Sequence, residues 1–145
     1  MRINEVLAGK AGHDVVTVRP DATVRELVRM LAEHNIGALV VSADGSGVDG
    51  IVSERDVVRR LHDDESVLDS PVSGIMSAPV RTCEGHDTVD EVMALMTARR
   101  FRHVPVVKGD RLAGIVSIGD VVKSRMSQLE FERDQLDSYV QGSQT

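Results

Sequence analysis

Apolar residues in two stretches of the chain recur at spacings of three, one and three positions. The first stretch comprises Val24, Leu27, Val28 and Leu31, and the second comprises Val89, Val92, Met93 and Met96. This spacing is typical of an amphipathic helix that buries one stripe of side chains. A Thr-x-x-Glu pair opens each stretch: Thr23 with Glu26, and Thr88 with Glu91. Because such pairs cap helix N-termini reciprocally, the pattern predicts a helix after each threonine.

Short β-branched runs surround both predicted helices. They predict strands over residues 15–18, 37–41 and 50–52, and again over residues 79–82, 103–107 and 114–116. Glycine-bearing turns separate the second and third strands of each set, as in hairpins. A further helix is predicted to begin near Glu54 and near Ile118. Each set therefore has the order strand, helix, strand, strand, helix.

The two sets of elements are copies of one another. Thr23 and Thr88 stand 65 positions apart, whereas Gly50 and Gly114 stand 64 apart, and the one-residue difference falls in the hairpin turn. The repeat predicts an α+β fold of two β-α-β-β-α units that share one core and pack by pseudo-two-fold symmetry. We expect the first unit and an N-terminal segment over residues 1–65, the second unit over 66–124, and a C-terminal helix and tail over 125–145.

A Gly-x-x-Ser-x-x-Asp segment occurs in each unit where a strand passes into a helix. Its members are Gly50, Ser53 and Asp56 in the first unit, and Gly114, Ser117 and Asp120 in the second. A helix N-terminus suits a phosphate, and a carboxylate there can accept both hydroxyls of a ribose. The same pattern is also an ordinary N-terminal cap. Its duplication favours a ligand role, and the two roles are compatible.

With the run Arg102-His103-Val104-Pro105-Val106, the doubled segment resembles the tandem cystathionine-β-synthase (CBS) domain pair, or Bateman module. The resemblance extends from about Val6 to Lys123. We expect the stand-alone type, since little chain remains for a catalytic domain. The resemblance implies AMP, ADP or ATP as ligand, or alternatively NAD or S-adenosylmethionine, bound in clefts between the units. It also implies that Asp56 and Asp120 hold the ribose and that Ser53 and Ser117 face the ribose or the phosphates.

The favoured function is a non-enzymatic regulatory module that signals its ligand occupancy to a partner protein, which the sequence does not name. No nucleophile, base and orienting group converge in the sequence, and no catalytic cofactor or metal is expected. The five histidines are scattered without the paired spacing of metal ligands. A structural dimerisation module with degenerate sites is the remaining alternative, and the two intact segments argue against it.

Positive charge is concentrated in the run Arg99-Arg100-Phe101-Arg102-His103, at the end of the second unit's first helix. The corresponding residues 34–38 are nearly uncharged. Arginine presents forked donors that match phosphate oxygens. By analogy with related modules, the hypothesis is that residues of this run contact the phosphates of a ligand anchored by Asp56. Alternatively, these arginines complement the helix dipole and stay solvated.

Adenine must be held mainly by aliphatic and backbone groups, because the chain has two Phe, one Tyr and no Trp. The candidate wall residues lie on the predicted strands: Thr17, Val18, Ala38, Val40, Thr82, Val104 and Pro105. Taken singly, each is better explained as core than as ligand wall, since strands bury alternating valines. Arg55 is a further candidate for a phosphate contact, or a solvated helix residue.

Composition excludes several other classes of function. A net charge of −6 and 2% aromatic residues argue against a nucleic-acid-binding protein. The longest apolar runs are far shorter than the roughly 20 residues that span a bilayer. The first residues lack the apolar core of a signal peptide, so a cytoplasmic location is expected. The single cysteine, Cys83, excludes an internal disulfide and is expected to be a half-buried core thiol.

The C-terminal residues carry a heptad-like apolar seam interrupted by one arginine. Its members are Val122, Met126, Leu129, Arg133, Leu136 and Val140. This spacing predicts a long helix. The helix either packs against a second chain or folds back on its own sheet, and a homodimer is favoured because an isolated exposed helix is marginally stable.

Overall fold

A computed structural model describes residues 1–10 and 15–143 of the chain. In chain order the elements are α1 (Ile3–Ala8), β1 (Thr17–Val18), α2 (Val24–His34), β2 (Ala38–Val41), β3 (Gly50–Ser53), α3 (Glu54–Asp63), two 3₁₀ turns (Glu65–Asp69 and Val72–Gly74), β4 (Cys83–Glu84), α4 (Val89–Arg99), β5 (His103–Lys108), β6 (Arg111–Ser117) and α5 (Ile118–Ser143). The predicted α+β repeat is confirmed: each unit supplies one three-stranded sheet and two helices.

Helices α2 and α4 begin where their capping threonines predict. The Thr88 hydroxyl accepts from the Glu91 N–H at 3.1 Å, and the Glu91 carboxylate accepts from the Thr88 N–H at 3.4 Å. In α2 the Thr23 hydroxyl accepts from the Glu26 N–H at 3.2 Å, but the reciprocal half of the predicted cap is absent. The Glu26 carboxylate instead pairs with Arg29 one turn later.

The two sheets have the same topology. In each, a short first strand pairs in parallel with the second strand, which pairs antiparallel with the third. The prediction of a strand over residues 79–82 was wrong, because the paired residues are Cys83 and Glu84. Ser77 is still hydrogen-bonded to Ile51 of the first sheet, at 2.9 and 3.1 Å, so the chain crosses between the two sheets over residues 78–82. Residues 15 and 16, at the start of the predicted first strand, lie outside β1.

The buried apolar residues form two clusters rather than the one shared core that the repeat predicts. One contains the helix-facing residues of the first sheet with α2 and α3, and the other those of the second sheet with α4 and the start of α5. On the opposite sheet faces Ala38, Val40 and Pro105 are also buried. Each sheet is thus covered on its helix side by its own unit, which is why two cores form.

The segment before each unit's first strand completes the core of the other unit. Ile3 and Val6 of α1 belong to the second cluster, whereas Val72 and Ile75 belong to the first. The two segments occupy matching places: the Val89 N–H donates to the Met1 carbonyl at 3.0 Å, and the Val24 N–H donates to the Ser70 carbonyl at 2.9 Å. The sequence did not predict α1, and residues 1–10 pack with the second unit although they precede the first.

Gly50 and Gly114, which start the two copies of the doubled segment, lie under these two segments. We call residues 1–10 and 70–79 the crossing segments. A Cβ on Gly50 would come within 2.5 Å of the Met76 sulfur, and one on Gly114 within 2.7 Å of a Leu7 methyl carbon. Real Cβ atoms essentially never approach other heavy atoms this closely. The packing of these segments therefore leaves no space for a side chain at either glycine.

Helix α5 is continuous from the end of β6 to Ser143, as the heptad pattern predicts. Val121 is buried against the second core, but the apolar seam faces away from it: Met126, Leu129 and Leu136 are 57%, 49% and 66% exposed. The helix therefore does not fold back on its own sheet. In the part of the chain that the structure describes, no helix is both long and apolar enough to cross a membrane.

Cys83 is a core residue, as expected. It is 5% exposed and packs with the second cluster. Burial, with the negative charge of Asp87 nearby, raises the pKa of the Cys83 thiol to about 12. The thiol is therefore protonated at neutral pH and is a poor nucleophile.

Candidate functional site

A cleft of about 270 Å³ lies between the two units, at the first copy of the doubled segment. Residues from both units line it: Gly37, Ala38, Ile51, Ser53, Glu54, Arg55, Asp56 and Arg59 from the first, Arg100, Phe101, Arg102 and His103 from the second, and Ser77 from the segment that precedes β4. The junction of β3 with α3 thus faces the loop between α4 and β5. We call this space the first cleft.

Ser53 and Asp56 form a complete capping box at the start of α3. The Asp56 Oδ2 atom accepts from the Ser53 N–H at 2.8 Å and from the Ser53 hydroxyl at 3.0 Å, and the Asp56 N–H donates to the Ser53 hydroxyl at 3.3 Å. Among the described residues, Asp56 Oδ1 accepts no hydrogen bond and no cation lies within ion-pair distance of the carboxylate. The capping role and an open carboxylate oxygen therefore coexist in one residue.

The first cleft concentrates positive charge in an acidic protein. Four arginines line it against two carboxylates, those of Glu54 and Asp56. Arg55 and Arg59 lie one turn apart on α3, and Arg100 and Arg102 come from the other unit. Such a cleft attracts an anion with several oxygen atoms, because each guanidinium offers several donors.

Arg100 has a left-handed backbone conformation. It is the residue after α4, with φ of +57°, and its N–H donates to the Met96 carbonyl. The matching position of the first unit is Asn35, at φ of +51°. Asparagine tolerates this region better than arginine. The first unit therefore has the residue that the turn favours, whereas the second unit has a cation that lines the first cleft.

His103 lies between the two units at the start of β5. A Cβ on Gly37 would lie 3.7 Å from the His103 ring and 3.5 Å from a Glu54 carboxylate oxygen, which are ordinary contact distances, so both side chains lie directly beside Gly37. Burial lowers the pKa of His103; the charge of Asp120 opposes this effect and that of Lys10 adds to it. The imidazole is therefore mainly neutral at pH 7 and can donate or accept one hydrogen bond.

The second copy of the segment has the same cap but a different environment. The Asp120 Oδ2 atom accepts from the Ser117 N–H at 2.9 Å, and the Asp120 N–H donates to the Ser117 hydroxyl at 3.1 Å. Lys10 Nζ donates to the same Oδ2 atom at 2.8 Å and to the Ile115 carbonyl at 2.9 Å. Burial raises the pKa of Asp120, but the hydrogen bonds from Lys10 and Ser117 and the charge of Lys10 outweigh it and hold the pKa below its usual value.

The structure brings six of the predicted site residues together in the first cleft: Ala38, Ser53, Arg55, Asp56, Arg102 and His103. The others are not part of its lining. Ser117 and Asp120 lie at the second copy of the segment, Val18 and Val104 lie in the two cores, and Val40 and Pro105 are buried in their strands. Thr17 is half-buried in β1, whereas Thr82 and Arg99 are exposed.

Two residues with contacts at the two copies of the segment, Arg59 and Lys10, were not predicted from the sequence. Arg59 follows Asp56 by three positions on a helix, which places both side chains on one face and is a usable signal. Lys10 had no such signal, because its contact with Asp120 joins positions 110 apart in the chain. Arg100 and Phe101, from the charged run of the second unit, also line the cleft, and the rest of the lining consists of Gly37, Ile51, Glu54 and Ser77.

Two repeated α+β units with a charged cleft between them define a paired-domain ligand-binding module. Residues 8–63 and residues 72–127 each match the CBS domain family. The chain therefore belongs to the CBS domain family, as a tandem pair, and the predicted resemblance is confirmed. CBS-domain pairs are regulatory ligand-binding modules.

Several known proteins are similar to the chain over most of its length. The mitochondrial CBS domain-containing protein CBSX3 of Arabidopsis thaliana is 37% identical over 127 residues, which is 84% of this chain and 62% of that protein. The chain thus spans less than two thirds of this relative. The CBS-domain protein ATU1752 from Agrobacterium tumefaciens matches with a TM-score of 0.81 and 44% identity, over 86% of this chain and 99% of that one.

A second similar structure contains bound ligands. The CBS domain pair of protein MJ0100, solved in complex with 5-methylthioadenosine and S-adenosyl-L-methionine, matches with a TM-score of 0.75 and 23% identity, over 85% of this chain and 98% of that one. At this identity the match concerns the fold.

Proposed function

We propose that the chain is a regulatory module that binds an adenosine nucleotide with at least two phosphates, ADP or ATP, in the first cleft. The observation that carries this proposal is the position of the Asp56 carboxylate. One of its oxygens is free among the described residues, and it shares a cleft with four arginines. A carboxylate that accepts ribose hydroxyls beside a cluster of phosphate donors is the arrangement that such a nucleotide requires.

The charge of the cleft separates this ligand from the alternatives. S-adenosylmethionine, which the MJ0100 pair binds, carries a sulfonium cation that four arginines would repel. AMP has a single phosphate and leaves part of the arginine cluster without a partner. NAD has the required diphosphate and is the second candidate, distinguished from ADP by its additional nicotinamide riboside.

The same cleft provides a physical basis for signalling. Because Arg100 and Arg102 belong to one unit and Asp56 to the other, a bound nucleotide contacts both units at once. A ligand shifts a conformational equilibrium only if its affinity differs between the states. Contacts across the cleft supply that difference, and the partner that responds is a further protein or a second copy of this chain. The proposal assigns no catalytic step to the chain and a cytoplasmic location to the protein.

Isothermal titration of the chain with ADP, AMP, S-adenosylmethionine and adenosine tests the ligand. We expect ADP to bind most tightly and S-adenosylmethionine most weakly. Arg102→Ala is expected to weaken ADP binding about tenfold to 100-fold, since a hydrogen bond to a charged group contributes about 1.5–3 kcal/mol, and to leave adenosine binding unchanged.

Arg100→Asn is the matched second variant. Asparagine suits the left-handed backbone at this position, so the variant removes a cation from the first cleft without destabilising the turn. We expect weaker ADP binding with an unchanged or higher melting temperature. If ADP and S-adenosylmethionine bind equally to the unmodified chain, or neither binds, the proposed ligand class is incorrect.

We propose further that the chain forms a homodimer through α5. The seam residues Met126, Leu129, Leu136 and Val140 are about half exposed or more, although they repeat at coiled-coil spacing. A chain truncated after Lys123 is expected to elute from gel filtration as a monomer, and the full chain as a dimer. Asp137→Ala, on the same helix outside the seam, is the control and is expected to leave the dimer intact. A truncated chain that remains dimeric would exclude α5 as the interface.

A further inference from the structure

The two copies of the doubled segment differ in what faces their aspartates. In the second copy, Lys10 Nζ lies 2.8 Å from Asp120 Oδ2, and the Lys10 and Asp120 side chains are only 33% and 24% exposed. In the first copy no cation lies within ion-pair distance of Asp56 among residues 1–10 and 15–143. The two copies of the motif therefore differ in charge partner: Lys10 neutralises the Asp120 carboxylate, whereas the Asp56 carboxylate has no cationic partner among the described residues.

The difference comes from a single position in the crossing segments. The segments match residue by residue: Arg2 bridges to Thr88 as Pro71 bridges to Thr23, and Leu7 lies over Gly114 as Met76 lies over Gly50. In this register Lys10 corresponds to Pro79. The first copy thus has an uncharged residue where the second has an ammonium group.

We propose that Lys10 is an internal ligand of Asp120 that excludes a ribose from the second copy of the segment, so that each chain binds one adenosine nucleotide, at Asp56. The inference about occupancy at Asp56 rests on the proposed function. A ribose diol that approached Asp120 would have to displace Lys10 and leave a partly buried ammonium without its anion. Hydrogen bonds from neutral hydroxyls do not compensate for the loss of such a charge partner.

Lys10 also contributes to the stability of this arrangement through its second contact. The ammonium group donates to the Ile115 carbonyl at 2.9 Å as well as to Asp120, so it links α1 and its segment to both β6 and the start of α5. Two hydrogen bonds from one ammonium group restrict the lysine side chain more than the single contact of an exposed surface ion pair does. The Lys10 side chain that occupies Asp120 is therefore held in place by contacts of the folded chain.

The test counts adenosine molecules bound per chain by isothermal titration of the full-length protein. Adenosine has the ribose diol but no phosphates, so its binding at Asp120 does not depend on the arginines of the first cleft. The unmodified chain is expected to bind one adenosine and Lys10→Gln to bind two, because glutamine removes the cation that occupies Asp120. In the Lys10→Gln, Asp56→Asn double variant we expect one adenosine, bound at Asp120, and in the triple variant with Asp120→Asn none. Lys10→Arg, which keeps the cation, and Lys108→Gln, at the exposed end of β5, are the controls and are expected to bind one.

Failure of this inference is distinguishable from failure of the proposed function. If Lys10→Gln binds no more adenosine per chain than the unmodified protein, Lys10 does not occlude Asp120, and the first-cleft proposal is unaffected. If the unmodified chain binds neither ADP nor adenosine but Lys10→Gln binds one adenosine, the proposed function fails and the inference holds.

A ligand-free measurement covers the possibility that Lys10→Gln disturbs the fold. The melting temperatures of Lys10→Gln, Asp120→Asn and the double variant form a double-mutant cycle. If the ion pair exists in solution, the double variant loses less than the sum of the two single losses. Additive losses would overturn the inference.

Discussion

Replacing Asp56 with asparagine is expected to weaken ADP binding roughly 100-fold or more. In the proposed complex the Asp56 carboxylate accepts hydrogen bonds from the ribose, and a hydrogen bond to a charged acceptor contributes about 1.5–3 kcal/mol. Each 1.4 kcal/mol corresponds to a factor of about ten in affinity. The amide keeps an acceptor oxygen for the Ser53 N–H, which Asp56 Oδ2 now accepts at 2.8 Å, so the start of α3 is preserved. Isothermal titration measures the change in affinity.

Asp120→Asn is the matched control for this variant, because it makes the same change in the second copy of the segment. The Asp120 carboxylate pairs with Lys10, so its removal is expected to lower the melting temperature and leave the affinity for ADP unchanged. If ADP binding is instead lost in Asp120→Asn and retained in Asp56→Asn, the ligand binds at the second copy of the segment, and the proposed function is refuted.

Features that depend on neighbouring residues were predictable from the sequence. The capping threonines predicted the starts of α2 and α4, and the strand-to-helix junctions at Glu54 and Ile118 were located correctly. These signals are local, since a cap and its partner lie three positions apart. The same holds for Ser53 and Asp56, whose spacing alone places the carboxylate at a helix N-terminus.

Features that depend on contacts across the chain were not predictable in this way. Residues 79–82 have the composition of a strand, but the chain is crossing between the two units there and β4 begins later. The shared core was likewise an inference from the size of one unit. Each unit instead closes its core with a segment from elsewhere in the chain, which supplies the apolar surface that one unit lacks.

The candidate site likewise combines features that neighbouring residues determine with features that depend on contacts across the chain. Arg55 and Asp56 of α3 were identified from the motif, and Arg102 and His103 from the charge run and the resemblance. That these four face one cleft is a consequence of how the two units pack. The ion pair of Lys10 with Asp120 lies beyond any local pattern, and it is this contact that makes two identical motifs chemically different.

Replacing Ile3 with alanine is expected to destabilise the protein by about 2–5 kcal/mol, the cost of truncating a fully buried aliphatic side chain. Chain termini usually contribute little to stability. Ile3, however, is 0% exposed within the second core, and its N–H donates to the Asp87 carbonyl at 2.9 Å. For a chain of this size the melting temperature is expected to fall by roughly 2–4 °C for each kcal/mol, as measured by differential scanning calorimetry.

Two further variants separate core packing by α1 from a general effect of altering the N-terminus. Glu5→Gln changes an exposed side chain of the same helix but keeps the acceptor oxygen for the Arg2 N–H, now at 3.4 Å, and is expected to leave the melting temperature nearly unchanged. Val72→Ala changes the residue that occupies the matching place in the first core, also at 0% exposure, and is expected to destabilise the protein by less than Ile3→Ala because fewer carbon atoms are removed. If Ile3→Ala has the melting temperature of Glu5→Gln rather than one below that of Val72→Ala, α1 does not close the second core, and Lys10 loses the support that holds it against Asp120.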